Sequence, residues 1–111
     1  MKVLSIDIET FSDIDLGKCG VYRYTDSPNF DILLFAYSID EGPVKLIDLA
    51  SGEEISVEIV EAILSSDIIK TAFNANFERV ALMRYLTRKL DREVYLNPSS
   101  WRCSEVQAAM L

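Results

Sequence analysis

Histidine is absent from the 111 residues. That excludes Ser-His-Asp and Cys-His catalysis, and zinc held by imidazole. Cysteine is scarce: Cys19 and Cys103 lie far apart and match no metal-ligand spacing. A disulfide scaffold is excluded, and a reduced, cytoplasmic setting is the simplest expectation, with both thiols free. Long apolar runs are also missing. The longest, Ile32 to Tyr37, falls well short of the ~20 residues that a bilayer demands, so no membrane partner is expected. An acid already stands at Asp7, where a signal peptide would still be apolar. Half the chain is hydrophobic and 26% is charged, which is ordinary composition for one small globular domain. Any catalysis or metal binding therefore falls to carboxylates.

Positive charge is scarce as well, and unevenly spread. Residues 1–78 hold fifteen acids and five bases, whereas residues 79–111 hold three acids and six bases, for a net charge of −7. A protein that grips a duplex by its phosphates carries a basic face. This balance argues against broad electrostatic binding of nucleic acid. It leaves open an acidic site that meets phosphates through divalent cations, because the ion inverts the local field.

Lys2 to Ile8 reads as a strand, with Val3, Ser5 and Asp7 on one face and Leu4, Ile6 and Ile8 on the other. Thr10 to Asn29 is polar and punctuated by Gly17, Gly20 and Pro28. It reads as a long loop that is functional or ordered by short helical turns. Phe30 to Asp40 has the continuous apolar centre of an internal strand. Val44 to Leu49 returns antiparallel to it after the Glu41-Gly42-Pro43 turn. Ser56 caps a helix carrying Ile59, Val60, Ile63 and Leu64. Ile68 to Phe73 is another short strand. Asn74 then stands at the N-cap of the longest helix, Ala75 to Leu90, with Phe77, Val80, Ala81, Leu82, Tyr85 and Leu86 as its apolar stripe. Asp91 to Ser100 reads as a loop, and a last helix begins near Ser100 or Ser104 and runs to Leu111. Three meandering strands followed by alternating helix and strand predict an α/β fold with a mixed sheet.

Two carboxylate motifs stand out. In Asp7-Ile8-Glu9 the two acids point the same way from a strand end. Their repulsion is costly where they are partly buried unless a cation lies between them, and their oxygens suit Mg²⁺ or Mn²⁺. The other reading of the tripeptide is two solvated carboxylates. In Asn74-Ala75-Asn76-Phe77-Glu78, at a strand-to-helix junction, Glu78 lies one turn into the helix. An acid there also complements the helix dipole without further purpose. Together the motifs offer three carboxylates able to converge at one sheet edge. The chemical use of such a cluster is a pair of metals about 4 Å apart, one activating water and the other stabilising the leaving oxygen of a phosphodiester.

Ser5-Ile6-Asp7-Ile8-Glu9-Thr10 resembles the first motif of the DEDD exonuclease superfamily, and Ala72-Phe73-Asn74-Ala75-Asn76-Phe77-Glu78-Arg79 resembles its second. More narrowly, the chain is similar to the N-terminal 3′–5′ exonuclease domain of bacteriophage-type family A DNA polymerases. The likeness also rests on residues 15–24, 32–37, 47–50 and 101–104, and covers nearly the whole sequence. It implies a ribonuclease H-like fold and a proofreading-type hydrolase using two divalent ions, Mg²⁺ or Mn²⁺. Asp7, Glu9 and Glu78 would be the catalytic and metal-binding acids. Thr10 and Phe11 match positions that contact the terminal nucleotide, and Asn74 would orient the junction. The wider superfamily usually has aspartate where Glu78 stands, whereas phage-type relatives share the glutamate. The implied partners are the 3′ end of single-stranded DNA and a downstream polymerase domain. The first two motifs do not separate RNA from DNA, and the phage-type features favour DNA.

The family's third motif, Tyr or His followed by the last aspartate, has no match. Tyr22 to Asp26 has its spacing but lies between the first two motifs, and reads as part of the loop. The expectation is that 1–111 is a partial exonuclease domain, weak or inactive alone, which binds its metals weakly. Its unfinished apolar C-terminus would expose surface that a second copy could cover. The alternative is a ribonuclease H-like module kept for nucleic-acid binding or architecture without chemistry. Trp101 reads as a packing anchor. Tyr22 and Tyr24 read as packing or surface residues, and Arg84, Arg88, Lys89 and Arg92 as a solvated helix face.

Overall fold

The computed structural model describes residues 1–104, apart from the side chains of Lys18 and Cys19. Five strands form one mixed sheet: β1 (Val3–Phe11), β2 (Asp31–Ile39), β3 (Lys45–Asp48), β4 (Ile69–Ala72) and β5 (Trp101–Cys103), in the order β3-β2-β1-β4-β5. β2 runs antiparallel to β1 and β3, whereas β4 runs parallel to β1 and β5. Three helices accompany it: α1 (Leu16–Asp26), α2 (Val57–Leu64) and α3 (Ala75–Leu90). This is the ribonuclease H-like α/β arrangement that the sequence led us to expect.

The alternation of β1 decides where the core lies. Leu4, Ile6 and Ile8 are buried, and they pack in one cluster with Ile32 and Phe35 of β2, Ile59, Ala62 and Ile63 of α2, and Ala81, Leu82 and Leu86 of α3. Each Leu, Ile or Phe among them contributes about 1.5–3 kcal/mol by leaving water. Asp7 and Glu9, on the opposite parity, are exposed. α2 starts where its sequence says it should: the Ser56 hydroxyl accepts from the Ile59 N–H at 3.4 Å, satisfying one of the free donors of the first turn.

Two segments depart from expectation. The polar stretch after Thr10 is not a loop throughout. β1 continues to Phe11 past a bulge between Glu9 and Thr10, and α1 follows. Asp15 caps α1 by accepting from the Gly17 N–H at 2.9 Å. Gly20, at φ 79°, breaks α1 into two short helical pieces. That break hides the helix from any periodicity test, and φ > 0 is what a glycine tolerates. Tyr24 anchors the piece in the core, edge-on to Phe30 at 5.9 Å and tilted against Phe77 at 6.0 Å. The Tyr22-to-Asp26 spacing lies inside α1.

The second departure is β5. Residues 98–100 form a 3₁₀ turn with Pro98 first, and Trp101–Cys103 form a strand where the sequence suggested that a helix could already have begun. A three-residue strand has no readable period, and only its pairing with Lys70, Thr71 and Ala72 of β4 defines it. The remainder of the expected last helix lies outside the described residues. Trp101 is buried, as a packing anchor should be. Beside it Lys70, 1% exposed, donates from Nζ to the Ser65 carbonyl at the end of α2 and stands 5.8 Å over the indole. Burial lowers its pKa to about 8. No helix among the described residues is long and apolar enough to cross a membrane.

Candidate functional site

The three strands β1, β4 and β5 run parallel, so their C-terminal ends share one edge of the sheet, the usual place for a site in such folds. Asp7 lies midway along β1, just past its last pairing with β4, Ser5 with Thr71. β4 ends at Ala72, and Asn74 opens α3 by accepting at its backbone carbonyl from the N–H groups of Phe77 (3.0 Å) and Glu78 (3.2 Å). The Asn74 side chain makes no capping bond, so its part in the junction is that of its backbone. Ser104 follows β5. Asp7, Glu78, Phe73 and Ser104 line one groove of about 570 Å³, floored by Ser5 and Thr71, whose hydroxyls bond each other at 2.9 Å.

Glu78 is the unusual member. It is only 5% exposed, and among the described residues its Oε2 has no hydrogen-bond partner. Burial pushes its carboxyl up to about 7, against the pull of its own backbone N–H; the charge on Asp7 pushes it further up and the Asn74 N–H holds it back. A buried oxygen with nothing to accept costs about 1–3 kcal/mol, and a second acid in the same groove adds to that cost. A divalent cation would relieve both penalties. Mg²⁺ is commonly held by one or two carboxylates, with water and substrate phosphate completing its shell. Asp7 and Glu78 fit that donor set.

The other expected residues are placed less uniformly. Glu9 lies one pleat beyond Asp7, exposed and just before the bulge. It is not among the residues lining the groove, and among the described residues no three His, Cys, Asp or Glu side chains cluster as a metal site. Thr10 shares a hydrogen bond with the Tyr24 hydroxyl at 2.9 Å, which ties the end of β1 to α1. Phe11 ends β1 with its ring half exposed. The sequence reading missed Arg79. Next to Glu78 and as deeply buried, it donates to the Leu96 carbonyl at 2.9 Å and to Asn76 Oδ1 at 3.2 Å. It also missed Cys103, whose Sγ donates to the Phe73 carbonyl at 3.0 Å. No local signal marked either one, because the backbone carbonyls they meet, those of Leu96 and Phe73, are remote in sequence.

No protein-family model matches the chain. Over all 111 residues it is 52% identical to the DNA polymerase of Bacillus phage SP02, of which it spans 16%. Its fold is that of Brucella melitensis NrnC, with a TM-score of 0.62 over 98% of this chain and 44% of that one at 16% identity, and the same figures hold for the form with bound Mg²⁺. A nuclease in its apo form aligns with a TM-score of 0.61 over 98% of this chain and 43% of that one, at 17% identity. The chain is thus a homologue of a segment of a phage DNA polymerase and has a nuclease fold, as the resemblance in its motifs implied.

Proposed function

We propose that this homologue of a phage polymerase segment is the metal-binding part of a 3′–5′ exonuclease domain, acting on the 3′ end of single-stranded DNA and continued by a polymerase. One observation carries the reading. Asp7 and Glu78, seventy-one positions apart in the sequence, line one groove just past the last β1–β4 pair, and Glu78 has a buried oxygen without a partner among the described residues.

Divalent ions, when bound, supply a hydroxide nucleophile at neutral pH and charge stabilisation for the leaving oxygen. The chain's own residues do the rest. Asp7 and Glu78 present oxygen ligands, and Glu9 supplies a further carboxylate from the same strand. The dry surroundings of Glu78 strengthen its hold on a cation once its proton has left. Thr10 and Phe11 contact the terminal nucleotide, and the Asn74 backbone orients Glu78. In this reading residues 1–111, which hold no match to the third motif, bind their ions weakly and are a poor nuclease or none.

Titration calorimetry with Mn²⁺ tests the metal half. The wild-type chain is expected to bind, and Asp7→Asn to lose at least about tenfold in affinity, as is usual for removal of a charged ligand. Equal heats from the two proteins would refute it. A 3′-labelled oligonucleotide tests the rest: slow trimming that disappears in Asp7→Ala supports the reading. Robust degradation of the oligonucleotide would overturn the expectation of a weak or inactive chain; the non-catalytic module stays in view because, among the described residues, the carboxylates lining the groove are Asp7 and Glu78.

A further inference from the structure

Phe73 is the first residue beyond β4 and is 65% exposed. Tyr22, Tyr95 and Phe11 are comparably exposed, and what sets Phe73 apart from them is its place beside the two acids. Its backbone is held from both sides. The Cys103 thiol bonds its carbonyl at 3.0 Å, and the next residue, Asn74, accepts the first hydrogen bonds of α3. The ring thus stands free on a fixed base. It lines the same groove as Asp7 and Glu78, in a space within the range of ligand sites, about 300–1,000 Å³. Among the described residues that line the groove none is Lys or Arg. A strand entering it gains nothing from direct phosphate pairing with the walls.

Resting on the exonuclease reading above, we infer that Phe73 is a stacking platform for a nucleobase of the single strand presented to Asp7 and Glu78. Every base offers a π-face, so such a platform holds strands without regard to sequence, and one stacked base is worth roughly a 5- to 150-fold gain in affinity. With no basic side chain among the described residues of the groove, that gain is insensitive to salt, unlike phosphate contacts. Phe73 is a positioning residue in this scheme and performs no chemistry.

Fluorescence anisotropy with a labelled single-stranded oligothymidylate tests the inference, using Ca²⁺ as the ion so that binding is read apart from cutting. Phe73→Ala is expected to weaken binding about tenfold. Phe73→Trp should retain affinity, and Phe73→Leu, apolar but without a π-face, should fall near the alanine variant. The decisive arm repeats the measurement on an oligonucleotide with abasic sites. If the ring stacks on a base, wild type and Phe73→Ala then bind equally. Equal affinity of the two proteins for the intact strand overturns the inference, and so does an equal loss on intact and abasic strands, which would mark a packing role. If the wild type binds and Asp7→Asn does not, the exonuclease reading stands whatever Phe73 does. If the wild type fails to bind any strand, both fall.

Discussion

Glu78 and Arg79 are neighbours in the first turns of α3 and equally hidden, at 5% and 7% exposure, yet the molecule treats them in opposite ways. Arg79 is given acceptors: the Leu96 carbonyl and Asn76 Oδ1 meet its guanidinium at 2.9 and 3.2 Å. Glu78 is given a second acid in its groove and an Oε2 with no partner among the described residues. A buried charge that is satisfied holds a structure together, here the 91–100 segment against α3. A buried acid left unsatisfied is a cost retained at a site, and such costs are typical of groups poised for a ligand. The difference between the two residues separates scaffold from site within a single helical turn.

Breaking the scaffold half should have the largest effect. Arg79→Ala removes two hydrogen bonds made by a charged group and leaves the Leu96 carbonyl buried without a donor, so a loss of about 4 kcal/mol is expected in urea unfolding. The site half should respond with the opposite sign. The folded-state pKa of Glu78 is raised from 4.5 to about 7, so folding favours its protonated form. The penalty is absent below pH ~4.5, grows as pH rises towards ~7, and is complete above that. Glu78→Gln should therefore be more stable than wild type by about 2 kcal/mol at pH 8 and indistinguishable from it at pH 4. A constant difference across that range would show that the carboxyl is not the source. The smallest effect belongs to a pair that is neither scaffold nor site. Lys89 and Glu54 meet at 2.9 Å on the surface, and Lys89→Ala should cost under about 0.5 kcal/mol and be masked by salt.

The arginines of α3 sharpen the same contrast. As a helix face they look solvated. In the fold Arg84 pairs with Asp26 of α1 at 2.7 Å, and Arg88 donates to the carbonyls of Ser27 (2.8 Å) and Phe30 (3.0 Å), clamping the α1–β2 connection to α3. The Arg88 half of the clamp was invisible in the sequence because its acceptors are backbone carbonyls, which every residue carries. The bounds of α3 itself were legible to the residue, from Ala75 to Leu90, because sixteen residues give the apolar stripe several turns in which to declare itself. α1 was legible only as short helical turns, because Gly20 splits it, and β5 was not legible, being three residues long.

For the candidate site, the local pattern was enough to name Asp7 and Glu78 as acids on a strand and at the start of a helix, since strand alternation and helix capping act over two to four residues; that β1 runs on past Asp7 to Phe11 was not in that pattern. The same short-range forces fixed the core parity of β1 and the cap of α2. Tertiary structure alone decided the rest: that β1 and β4 lie side by side and parallel, that this brings two distant acids into one groove, that Glu78 is dry and Arg79 satisfied, and that Phe73 stands beside them in water. Burial and long-range pairing depend on which segments become neighbours, and that is a property of the whole packed sheet that no single stretch of residues contains.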